Sequence, residues 1–113
     1  MNKFKVLSIV IAVFNEEKLI ADVIKDVFEA DSNGLRKEVI VVNDGSTDTT
    51  AAKLKNVKTI YPNLVLINQT QNSGKGHALK AAFLKSTGDI VLVQDADKEY
   101  SPRDYPHLIE PFF

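Results

Sequence analysis

Three short stretches of this sequence gather acidic and amide side chains at spacings that suit cation and phosphate chemistry. One is Asp95-Ala96-Asp97, followed closely by Glu99. In extended chain, residues two apart point the same way and lie about 6.5 Å apart, at ~3.3 Å rise per residue. Asp95, Asp97 and Glu99 can therefore line one side of a crevice. Hard oxygen ligands of this kind suit Mg2+ or Mn2+ shared with phosphate oxygens. An isolated Asp-x-Asp more often reads as a solvated acidic turn. Here it directly follows the apolar Ile90–Val93, and two other acidic stretches occupy equivalent places. Phe14-Asn15-Glu16-Glu17 and Asn43-Asp44-Gly45-Ser46-Thr47-Asp48 each end an apolar run as well. Gathered carboxylates repel one another, so a positive partner is expected among them.

Asp44-Gly45-Ser46 is at once a tight-turn signal and a way to project a carboxylate that accepts hydrogen bonds from a base or ribose. Asn43 reads equally well as structural. Asn72-Ser73-Gly74-Lys75-Gly76 lacks the spacing of a phosphate-binding P-loop. Two glycines and a lysine at a helix N-terminus can still approach a diphosphate, and a flexible loop with an incidental lysine is the plain alternative. His77 has no second histidine spaced to join it on a metal and reads as a structural helix residue, and His107 as a surface one. No Ser/His/Asp arrangement for nucleophilic catalysis is visible.

The elements that must position these groups alternate. Val6–Phe14, Glu38–Val42, Leu64–Ile67 and Ile90–Val93 are nearly continuous, β-branched apolar runs, the pattern of strands buried on both faces of a parallel sheet. Between the first two, Leu19, Ile20, Val23, Ile24, Val27 and Phe28 form one helical stripe, with Asn15 as expected N-cap and Glu16 and Glu17 near the positive end of the helix dipole. A second helix is expected from a Ser46 or Thr47 cap through Leu54 toward Tyr61. A third runs through Ala78, Leu79, Ala82 and Phe83 to Gly88, and a fourth opens at Ser101-Pro102. Right-handed crossovers turn this β-α order into an open, doubly wound, mainly parallel α/β sheet, whose ligands sit outside the carboxyl ends of the strands.

Composition narrows the classes further. With 113 residues the chain makes one domain, 1–113. A net charge of -1 gives no field to recruit nucleic acid. There is no cysteine, so disulfides and thiolate metal sites are excluded. The apolar run after Lys3 and Lys5 ends abruptly at Asn15-Glu16-Glu17 without a small-residue cleavage site. It is also about half the ~20 residues of a membrane span, so it reads as a buried strand.

Taken together, Ser8–Glu17, Val42–Asp48, Asn72–Gly76 and Gly88–Asp97 resemble family 2 glycosyltransferases of the GT-A fold, a likeness running from Leu7 to Phe113. Glu99-Tyr100-Ser101-Pro102 and Asp104-Tyr105 are most similar to the branch of dolichyl- or polyprenyl-phosphate sugar synthases. The resemblance implies a donor site for a UDP- or GDP-linked sugar. Ala12, Phe14 and Glu16 would border the nucleotide, Asp44 contact the base, and Lys75 lie near base or diphosphate. Asp95, with Ala96 beside it, would meet the ribose or nucleotide, and Asp97 with Glu99 would hold Mg2+ or Mn2+. Relatives often carry proline at position 12 and tyrosine at 14; Phe14 keeps a stacking surface without the phenol. The implied reaction is sugar transfer with inversion, to a lipid phosphate in the similar branch, at the cytoplasmic side and peripheral to the membrane. Relatives with hydroxyl acceptors place their base further along the chain, so no catalytic residue is assigned here. Full-length members also continue further, which implies an exposed sheet edge with Phe112 and Phe113 nearby and a homodimer or other partner to cover it. A non-catalytic sugar-nucleotide-binding module and a nucleotidyltransferase remain alternatives. The latter lacks its glycine-rich, basic signature after the first strand. A receiver-like domain lacks its phosphoacceptor and later lysine.

Overall fold

The computed structural model describes residues 4–96 and 102–112, without the side chain of Phe112. Four strands form one sheet: β1 (Val6–Val13), β2 (Arg36–Asp44), β3 (Val65–Gln69) and β4 (Ile90–Val93). All neighbours pair in parallel, in the order β3-β2-β1-β4. The intervening helices are α1 (Ile20–Glu29), α2 (Thr50–Ile60) and α3 (Lys75–Lys85), and α4 (Tyr105–Ile109) follows between two 3-10 turns. The expected doubly wound α/β sheet is present.

Side chains alternate across a strand, so a continuous apolar run buries both faces. In β1, Leu7, Ile9, Ile11 and Val13 join one core while Val10 joins the other; in β2, Val39 and Val41 oppose Ile40 and Val42 in the same way. The first core receives Ile20, Val23, Ile24 and Val27 of α1, Leu54 and Val57 of α2, and Tyr105 and Ile109 of α4. The second receives α3, whose buried contacts are Ala78 and Ala82. Side chains this small let the α3 backbone lie close over β1 and β2. Phe28 and Tyr61 stack in parallel across the outer side of the first core, with centroids 4.4 Å apart.

Helix ends depart from expectation. Asn15 is not an N-cap: α1 begins at Ile20, and Asn15 adopts a left-handed φ of 52°. Its short amide finds better partners in the β2–α2 loop than at a helix start, and asparagine tolerates this conformation. Glu17 likewise turns from the α1 dipole to Thr49. Thr49, not Ser46 or Thr47, sits at the N-cap of α2, and Asp48 Oδ1 accepts the Thr50 N–H. β1 stops at Val13, one residue short of Phe14, and α3 ends at Lys85, before Gly88. At the C-terminus of α1, Lys37 reaches across from β2 and donates to the carbonyls of Val27, Phe28 and Ala30. Ser101 lies outside the described residues.

The amino ends of the strands are stitched together by Glu38. Its carboxylate accepts from Ser8 Oγ, from the Thr87 N–H and from the Thr87 hydroxyl, each at 2.8 Å. Gly88 closes the arrangement, since a Cβ there would come within 2.4 Å of Ser8 Oγ. Burial pushes the Glu38 carboxyl up, but the hydrogen bonds from Thr87 and Ser8 outweigh it and hold the group below its ordinary value. A carboxyl lowered on folding contributes stability above its unfolded pKa and loses it as pH falls through the folded one. Acid unfolding followed by circular dichroism should therefore begin below about pH 4.5, the usual glutamate range. Glu38→Gln should be less stable at neutral pH and show a shallower acid limb; an acid limb identical to the parent would exclude this contribution.

Candidate functional site

The carboxyl ends of β1, β2 and β4 open on one side of the sheet. The order β3-β2-β1-β4 places the change of direction between β1 and β4, where open α/β sheets bind their ligands. A pocket of about 350 Å³ lies there. Ala12, Val13, Phe14 and Glu16 line it from β1 and the turn beyond, and Asp44 from the end of β2. Asn72, Gly74 and Lys75 come from the start of α3, Asp95 and Ala96 from the end of β4.

Each wall has a local cause. Gly45, at φ 69°, follows Asp44, and a Cβ on it would lie 2.3 Å from the carbonyl carbon of Gln71 and 2.4 Å from the nitrogen of Asn72. The turn and the loop before α3 therefore pack backbone to backbone. That contact brings the Ser73 and Gly74 N–H groups to the two carboxylate oxygens of the buried Asp44, at 2.9 and 3.0 Å. Gly74 itself takes φ 98°, which turns the chain into α3 and aims the helix N-terminus at the pocket. Lys75, the first residue of the helix, reaches Asp95 with Nζ 2.7 Å from Oδ1. Among the described residues, one ammonium faces Asp95 and two backbone N–H groups face Asp44. Phe14 is 41% exposed and presents an apolar surface at the pocket.

The β1–α1 turn is fixed from outside the pocket. Asn15 donates its backbone N–H to Ser46 Oγ at 3.0 Å and accepts the Thr47 N–H on Oδ1 at 2.8 Å. Its Nδ2 donates to Thr47 Oγ1, and the Glu16 N–H donates to Thr50 Oγ1. Glu17 accepts both the hydroxyl and the N–H of Thr49, which lower its pKa. Glu16 faces the pocket while Glu17 faces away, although the two are adjacent and alike in sequence.

All of Ala12, Phe14, Glu16, Asp44, Lys75, Asp95 and Ala96 line this pocket. Asp97 and Glu99 lie outside the described residues. Among the described residues no group of three or more histidine, aspartate or glutamate side chains is arranged to hold a metal. His77 is exposed on α3 with Nδ1 3.4 Å from Gln69 Nε2, and His107 is exposed beside Glu110. Sequence reasoning did not single out Val13, Asn72 or Gly74 as lining; Gly74 and Asn72 belonged to the glycine-lysine segment, whose proximity to β1 depends on the crossover. It also missed the Asn15 network, for which the one-residue step from Phe14 to Asn15 carries no signal.

Parallel strands, a switch point and a helix N-terminus over the pocket make this an open α/β domain with its crevice at the carboxyl ends of the strands. Residues 8–113 match Glycosyl transferase family 2, and the chain belongs to that family of enzymes. It is 37% identical over 97 residues to a dolichyl-phosphate beta-glucosyltransferase of Trichomonas vaginalis, a match covering 80% of this chain and 30% of the relative. The fold matches that of a mannosyltransferase from Pyrobaculum calidifontis in complex with GDP-Man and Mn2+, with TM-score 0.75 and 32% identity over 87% of this chain and 29% of that one. It also matches glucosyl-3-phosphoglycerate synthase from Mycobacterium tuberculosis in complex with Mn2+, UDP and phosphoglyceric acid, with TM-score 0.76 and 30% identity over 95% of this chain and 38% of that one. These are structures of the GT-A fold. The chain spans about a third of the length of the relatives it matches.

Gly45→Ala tests the backbone packing that builds the pocket. The added methyl forces the loop at Gln71 and Asn72 away and strains a positive φ, a combined cost of about 2–4 kcal/mol. Urea unfolding should show a midpoint lowered accordingly; a midpoint equal to the parent would mean that the loop does not rest on this turn.

Proposed function

We propose that this segment is the donor-binding part of a glycosyltransferase, holding a nucleoside-diphosphate sugar in the pocket between the ends of β1, β2 and β4. The observation that carries the reading is the convergence of four separate stretches of chain on one pocket, with Lys75 at the N-terminus of an 11-residue helix beside Asp95. A helix N-terminus and an ammonium favour a diphosphate, and a carboxylate beside them can accept ribose hydroxyls. Phe14 offers a face for the base, with Ala12 and Glu16 beside it and Asp44 at the floor. The complexes of structural neighbours with GDP-Man, or with UDP, support a GDP- or UDP-linked donor.

The same neighbours contain Mn2+, and the crevice here offers only oxygen donors, which fits Mg2+ or Mn2+. Asp97, with Glu99, would hold the ion, and when bound it would neutralise charge growing on the leaving diphosphate. Hexosyl transfer with inversion is proposed for the whole protein, with residues 1–113 forming its nucleotide-sugar-binding domain. A polyprenyl-phosphate acceptor is supported by the dolichyl-phosphate specificity in the relative's name. Such a nucleophile is already anionic and needs no strong base. Its lipid would bring the protein to the membrane from the cytoplasmic side; among the described residues no helix is long and apolar enough to cross a membrane. A homodimer across the β4 edge belongs to the same proposal, motivated by that strand's place at the end of the sheet and the exposure of Val91 on it.

Thermal unfolding in the presence of UDP, GDP, UDP-glucose or GDP-mannose, with and without Mn2+, tests this directly. A ligand at about 100 times its Kd stabilises by about 2.7 kcal/mol, on the order of 10 °C for a domain of this size. At least one nucleotide should raise the midpoint, more strongly with Mn2+, and Asp97→Asn should remove the Mn2+-dependent part. No response to any of them would dismiss the donor reading, and a response confined to nucleoside triphosphates would favour a nucleotidyltransferase.

A further inference from the structure

Alternation along β4 puts Ile90 and Leu92 on the face of the first core, and Gln94 falls next on that same side. An aliphatic residue would pack there. Instead an amide is buried, with 1% of its surface exposed, and a buried amide is unfavourable unless its hydrogen bonds are made. Among the described residues two partners serve the Gln94 amide. The hydroxyl of Tyr105, itself fully buried on α4, donates to Gln94 Oε1 at 2.6 Å. Gln94 Nε2 then donates to the carbonyl oxygen of Asp95 at 3.1 Å, while the Gln94 N–H continues the ladder to Val10 at 3.0 Å.

The same alternation sends Asp95 to the opposite face, after Val93, where Lys75 meets it at 2.7 Å. Gln94 is thus bonded to the backbone of the residue whose side chain lines the pocket. Phenylalanine would fill the Tyr105 cavity equally well, so the hydroxyl serves the amide rather than the core. We propose that Tyr105 and Gln94 are positioning residues for Asp95: Tyr105 fixes the Gln94 amide, and the amide fixes the turn that presents the Asp95 carboxylate to Lys75 and to bound nucleotide. This deepens the donor reading and rests on it for the nucleotide.

The double variant Gln94→Met/Tyr105→Phe removes the Tyr105–Gln94 pair from both sides, which costs less than orphaning one partner, and leaves the Asp95 carbonyl without its amide donor; stability measured beside affinity then separates positioning from packing. It should unfold within a few degrees of the parent, yet bind UDP or GDP with Mn2+ roughly 3- to 10-fold more weakly, the effect of one buried hydrogen bond. Calorimetric titration reads the affinity. In the ligand-free state, the Asp95 and Ala96 amide resonances should move in Tyr105→Phe while that of Thr59, on the far helix, stays in place. An affinity unchanged in a chain that binds nucleotide overturns the proposal, whatever the resonances do. If the unsubstituted chain binds neither nucleotide, the donor reading falls and the resonances alone decide: movement at Asp95 sustains the positioning role, and none overturns it.

Discussion

Everything at the site depends on where β4 pairs. Having built β1, β2 and β3 side by side, the chain crosses back over two strands and adds β4 beside β1. A right-handed crossover of that span places α3 on the face opposite α1 and α2. The consequences reach from composition to chemistry. α3 must lie over β1 and β2, which selects Ala78 and Ala82 as its buried contacts. Its N-terminus must arrive above the ends of β1 and β2, which brings Lys75 and the loop before it over Asp44. The end of β4 must arrive on the other side of the same opening, which brings Asp95 to Lys75. Had β4 paired with β3, these groups would be dispersed along the sheet.

A crevice that gathers carboxylates needs compensation for their mutual repulsion, and the structure supplies it by different means at each wall. Asp44 is held by two backbone N–H groups, which Gly45 allows to approach by having no side chain. Asp95 is held by an ammonium. Glu17 is drawn out of the crevice by Thr49, and the Asn15 amide ties that whole turn to the loop after β2. The pocket wall is therefore a set of loops braced against one another across the tops of the strands, with the sheet as a rigid base.

Much of the fold was legible in sequence because it rests on periodicity. Apolar runs at Val6, Val39 and Ile90 and the stripe from Ile20 to Val27 report burial directly, and burial decided strand or helix. Asp44 and Asp95 were legible because they follow apolar runs, and the parallel arrangement brings run ends together; the family resemblance pointed to Ala12, Phe14, Glu16 and Ala96, and Lys75 reaches the pocket through the glycine-lysine segment that opens α3. What failed to show were contacts made between segments distant in sequence. Asn15 carries the composition of an N-cap, but its partners are at positions 46 and 47, about thirty residues on, and only folding decides between them. The bonding of Asp44 to Ser73 and Gly74 depends on the crossover, and nothing local in Gln94 announces Tyr105 as its partner. Asp97 and Glu99, readable as ligands by type and spacing, lie outside the described residues.

Mapping nucleotide-induced shifts on the amide spectrum is the most direct measurement. On titration with GDP or UDP in the presence of Mg2+, the largest changes should fall at residues 12–16, 44–46, 72–76 and 94–96 together, four stretches that only this topology unites. Changes absent from these stretches, or concentrated instead at the opposite ends of the strands around Ser8, Glu38 and Thr87, would contradict a donor site at the switch point.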